Sequence, residues 1–101
     1  MQTSTQIADG RAVVSLRGRF DFSAHREFRG SCNASLDAQN VRELELDMGA
    51  VEYLDSSALG MLLLLKEHAD AVCKPVKLSN CRGAVKEVLD IANFAKLFTI
   101  K

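Results

Sequence analysis

An α/β domain, with a mixed β-sheet and helices packed mainly on one face, follows from three patterns in this chain. Stretches of period-two and period-3.6 hydrophobicity succeed one another in the order ββαβαβα and leave room for a final strand. In residues 43–48, Leu44, Leu46 and Met48 alternate with Glu43, Glu45 and Asp47, so one sheet face meets water. A parallel sheet covered on both faces would instead show a continuous apolar run. With 101 residues, 48% of them hydrophobic, residues 1–101 suit one domain with one core.

Ala12, Val14, Leu16 and Gly18 alternate with Val13, Ser15 and Arg17, which marks a strand over 12–18. Asp9-Gly10 suits a tight turn, so Thr3 to Ala8 is expected to pair with it as an antiparallel hairpin. After Asp21 and Ser23, which are suited to capping, Ala24, Phe28, Cys32 and Leu36 recur every four residues as one face of a helix ending near Gln39-Asn40. The strand at 43–48 follows. A second helix is expected from Ser56 or Ser57 to about Val72, stopped by Lys74-Pro75. Its first half is apolar nearly all round, which predicts a central helix flanked by neighbours. Val76 and Leu78 mark a short strand, and Val85, Val88, Leu89 and Ala92 mark a third helix. Asn93 suits a left-handed closure of that helix, and 97–100 fits a last strand.

Composition narrows the function. Thirteen Lys and Arg balance thirteen Asp and Glu, so there is no general pull toward nucleic acid or an anionic membrane. Met1 leads into the polar segment 2–6 rather than a basic and then apolar leader, and the longest apolar stretch, Ala58 to Leu65, is too short to cross a bilayer. Cys32, Cys73 and Cys81 are odd in number, widely spaced and form no C-x-x-C pair, which favours reduced thiols in the cytoplasm over a disulfide framework or a zinc site. His25 and His68 offer no metal-ligand spacing. The glycines match neither phosphate-loop pattern, so neither nucleotide, metal nor any other cofactor is expected.

The densest chemistry lies at 51–65, where Asp55-Ser56-Ser57 stands between an apparent strand and the apolar helix. Taken alone, the triplet reads as an ordinary helix cap, a carboxylate or hydroxyl accepting from free N–H groups. Two small hydroxyls where one would suffice, beside Glu52-Tyr53-Leu54, point further. Nucleophilic catalysis by Ser56 would need an adjacent histidine backed by a carboxylate. His68 lies about three turns along the helix, and His25 heads a different one, so the chain is not expected to be an enzyme.

Three segments, Leu16-Arg17-Gly18-Arg19-Phe20-Asp21, Leu44-Glu45-Leu46-Asp47-Met48 and Leu54-Asp55-Ser56-Ser57-Ala58-Leu59-Gly60, together resemble the STAS domain, the family named for sulfate transporters and anti-sigma factor antagonists. Similar domains carry G-x-x-D in the first segment and D-S-S/T-G/A-L-G in the last; Ala58 stands where glycine is common. The resemblance is nearest to the free-standing antagonists and implies a single STAS domain. It places the phosphorylated hydroxyl on Ser56, with Ser57 the less favoured acceptor, and sets Asp21 and Asp55 beside it. The implied contact surface is Asp21, Phe22, Tyr53, Leu54, Asp55, Ser57 and Leu59. The implied partners are an anti-sigma factor and serine kinase of the histidine-kinase-like ATPase type, and a metal-dependent serine phosphatase. The alternative that the resemblance leaves open is a non-switching adaptor subunit of an ATP-driven lipid transporter. A ligand-binding STAS module would require a pocket.

Overall fold

The computed structural model describes residues 1–101. Five strands, β1 (Gln2–Ala8), β2 (Arg11–Phe20), β3 (Glu43–Leu54), β4 (Val76–Ser79) and β5 (Thr99–Ile100), form one sheet in the order β1-β2-β3-β4-β5. Only the β1–β2 pair is antiparallel. Their hairpin closes through Asp9 and Gly10, both at positive φ, the two-residue turn that matches strand twist. The remaining strands are joined by α1 (His25–Asp37), α2 (Ser56–Ala71) and α3 (Gly83–Ile91). Crossovers of one hand that step the same way across a sheet place all their helices on one face. A single core of 26 residues fills the space between that face and the helices.

The expected mixed sheet with a half-open face is what forms. Ala12, Val14, Leu16, Leu44, Leu46, Met48 and Leu78 are buried beneath the helices. On the opposite face Arg11 pairs with Glu43, and Lys77 lies 3.2 Å from Glu45.

Three expectations need correction, while the strand at 43–48 proves continuous with the apparent strand before Asp55. It runs on to Leu54 through two register shifts against β2, each of which inserts an extra residue into β3. Each shift resets the alternation, so the buried positions run Met48, Val51, Leu54 and the period-two signal disappears from the sequence. Helix α1 stops at Asp37, earlier than Gln39-Asn40, as Ala38 turns extended and Lys74 Nζ donates to the carbonyls of Leu36 and Ala38. The final strand is cut to Thr99–Ile100 by a 3-10 turn at Phe94–Lys96, which buries Phe94 and Phe98. Lastly, α2 is not flanked on all sides. Leu63 and Leu64 are 43% and 58% exposed. The left-handed Asn93, at φ 59°, follows α3 as expected.

Candidate functional site

The parallel strands β2 and β3 end side by side, with Phe20 opposite Leu54. Asp55 N–H donates to the Phe20 carbonyl at 3.3 Å, so both chains leave the sheet together and both enter a helical turn. After β2 a 3-10 turn, Phe22–Ala24, leads into α1 and is capped by Asp21, whose Oδ1 accepts from the Ser23 amide and hydroxyl. After β3, Asp55 is the N-cap of α2 and its Oδ1 accepts from Ala58 N–H at 3.0 Å. The C-terminal ends of two interior strands therefore carry two neighbouring helical starts.

Glycine is required just upstream. Gly18 adopts φ +99°, a conformation L side chains rarely take, at the second register shift. That shift brings Arg19 opposite Tyr53 in the next strand, and Arg19 Cζ lies 4.2 Å from the centre of the Tyr53 ring. Arg19 Nε also sits 3.5 Å from Asp21. Arg19 was not among the residues singled out from the sequence, since its partner is brought beside it only by the strand register. The Ser23 hydroxyl first, then the Ser23 amide and Arg19, hold the Asp21 carboxyl below the usual carboxylate range.

Ser56, the first residue of α2, is exposed, and the capping carboxylate bypasses it to bond Ala58. Ser57, Leu59, Asp55 and Asp21 are half-buried around it, and Phe22 and Tyr53 are exposed, Phe22 by 77%. Leu54 is different. It is only 6% exposed and belongs to the core, so it supports the surface from below and is not presented on it. Along α2, Gly60 and Leu63 follow Ser56 at i+4 and i+7 on the same face, which extends the surface as a shallow apolar strip.

The only histidine on α2 is remote from this hydroxyl. His68 lies about 18 Å away at 1.5 Å per residue, with its Nε2 2.8 Å from Asp37 Oδ1. Burial pushes the Cys32 thiol up to about 12 and raises that of Cys81, so neither is a thiolate at neutral pH. No three His, Cys, Asp or Glu side chains come together in a metal-ligating group, and no helix is long and apolar enough to cross a membrane. The arrangement offers an exposed hydroxyl on a partly apolar surface that also carries the carboxylates of Asp21 and Asp55.

Residues 3–99 match the family model described as Mlab, STAS domain. The chain is 42% identical over 99 residues to a STAS-domain containing protein of Pseudomonas aeruginosa, spanning 97% of this chain and 96% of that one. It is 24% identical over 100 residues to BtrV of Bordetella bronchiseptica, named as a candidate anti-sigma factor antagonist, across 99% and 85% of the two chains. The anti-sigma factor antagonist SpoIIAA in its unphosphorylated form shares the fold with a TM-score of 0.75 at 18% identity, over 99% of this chain and 87% of that one. The phosphorylated form of SpoIIAA, a Bacillus cell fate determinant, matches at 0.74 with 17% identity, over 99% and 91%. The family model spans nearly the whole chain, the 42% identical relative does the same, and the chain belongs to the STAS domain family, with a likeness in fold to the anti-sigma factor antagonists.

Proposed function

We propose that this chain is a partner-switching regulator, an anti-sigma factor antagonist whose switch is Ser56. Unphosphorylated, it binds an anti-sigma factor that is also a serine kinase of the histidine-kinase-like ATPase type. That ATPase phosphorylates Ser56 and the complex loosens; a metal-dependent serine phosphatase restores the hydroxyl. The chain is a substrate in this cycle and not an enzyme, since the kinase supplies ATP, metal and base. Its place of work is the cytoplasm, where ATP is available.

The observation that carries this reading is the division of labour at the start of α2. Asp55 provides the cap, which leaves the Ser56 hydroxyl exposed and unneeded for the fold. Phe22, Tyr53 and Leu63 supply exposed apolar area next to it, and Asp21, Ser57 and Leu59 complete the contact surface. Phosphorylation adds about −1.5 to −2 charges. The N-terminal end of a helix favours such a charge by about 0.3–1 kcal/mol, so the fold tolerates it. A partner carboxylate about 6 Å away is repelled by roughly 3 kcal/mol per charge pair at an effective dielectric near 20, less after solvent screening. The interface, not the fold, therefore responds.

The matching family model takes its name from Mlab and not from an antagonist, which keeps a second reading under test: a non-switching adaptor subunit of an ATP-driven lipid transporter. The two separate in one experiment. The chain is used as bait in a lysate of its source, the recovered complex is incubated with ATP, and phosphosites are mapped by mass spectrometry. The proposal expects a kinase-like ATPase and phosphate on Ser56, absent from Ser56→Ala. Recovery of permease and transport ATPase subunits with Ser56 unmodified supports the adaptor.

A further inference from the structure

A cavity of about 140 Å³ lies between α1 and α2, away from the residues that the switch requires. Phe28 and Cys32 of α1 and Met61 and Leu65 of α2 form its floor, and each is at most 7% exposed. Both pairs are spaced i, i+4, so two adjacent helical turns face each other without filling the gap between them. Its size is close to that of an apolar cavity that admits benzene, about 150 Å³. The Cys32 thiol stays protonated and adds no charge to this floor.

The mouth has a different character. Arg29 lines it from α1, exposed and without a carboxylate partner among the ion pairs of the chain. No Asp or Glu side chain lines the cavity. His68, on the opposite wall, is turned to Asp37, while His25 and Asn33 are the remaining polar lining groups. An apolar floor beneath an unpaired guanidinium matches a ligand with a hydrocarbon body and an anionic head. A guanidinium takes a carboxylate through two parallel hydrogen bonds, a geometry that an alcohol does not reproduce.

We propose that the α1–α2 groove is a binding site for a small organic carboxylate, its hydrocarbon body between Phe28 and Met61 and its carboxylate on Arg29. The site is independent of Ser56 phosphorylation, yet it uses the same helix. A bound acid fixes the spacing of α1 and α2 and gives this chain a second input beside the phosphate.

The test is a methyl NMR titration of the full chain with hexanoate, and in parallel with 1-hexanol, following Met61, Leu64 and Leu65. The expected result is saturable shifts confined to these methyls, with hexanoate binding about tenfold more tightly than hexanol. Arg29→Gln, a surface change that leaves the core intact, brings hexanoate down to the affinity of hexanol. Leu65→Phe, which fills the floor, abolishes binding of both. Absence of saturable shifts at millimolar hexanoate, shifts centred elsewhere, or equal affinity for acid and alcohol in the unmodified chain overturns the proposal.

Discussion

At the start of α2 a carboxylate and a hydroxyl sit next to each other, and the fold uses only the first. Asp55 accepts the Ala58 amide, so its replacement by alanine is expected to lower stability by about 0.5–2 kcal/mol in urea unfolding, with Asp55→Asn retaining most of it. Ser56→Glu should leave the urea midpoint nearly unchanged, because an acidic group in the first helical turn is tolerated. The Asp-Ser-Ser step was legible from sequence because capping chemistry is local. Arg19 and Leu54 were not legible in the same way. The Arg19–Tyr53 stack depends on how two strands are aligned, and the burial of Leu54 depends on two register shifts that break the period of two.

The second helix shows how composition and exposure part company at the scale of an element. Leu62 is wholly buried and its neighbour Leu63 is 43% exposed, although both belong to one apolar run. Leu62→Ala is expected to destabilise by about 2–5 kcal/mol through the cavity it leaves. Leu63→Ser should stay within about 0.5 kcal/mol in the same unfolding assay and yet weaken partner binding, measured by titration calorimetry. Helix existence and order were readable because caps and period-3.6 faces are written in neighbouring residues. Ends were less readable. The stop of α1 is completed by Lys74, which reaches it from beyond α2, and the last strand is shortened by a turn that buries Phe94 and Phe98. The apolar first half of α2 suggested neighbours on every side; no second helix covers the strip at Leu63, and the proposed partner would.

The whole molecule presents a charged sheet face opposite its helices, and that face contributes to its acid response. Glu45 is held below its ordinary value of 4.5 by the Ser79 hydroxyl first, then by Lys77 and Arg11. A carboxyl depressed on folding contributes stability that is complete above its unfolded value and is lost as pH falls through the folded one. Glu45→Gln should therefore lose less stability than the unmodified chain between about pH 6 and pH 3, compared by urea midpoints. The open face itself was visible in the alternation at 43–48; the Arg11–Glu45–Lys77 linkage across three strands was not, because strand order is a property of the assembled sheet. On the helical side, the exposed Ser56 opens α2 beside the end of β2, so the proposed phosphate would add its charge to the surface while the core behind it stays packed. The measurement that tests the proposed switch most directly is the affinity of the purified chain for the kinase-like ATPase expected as its partner, wild type against Ser56→Glu and Ser56→Ala, by titration calorimetry. Ser56→Glu is expected to weaken binding at least about tenfold, and Ser56→Ala to bind like wild type and to stay bound when ATP is added. Equal affinity for wild type and Ser56→Glu, or release of Ser56→Ala by ATP, would contradict it.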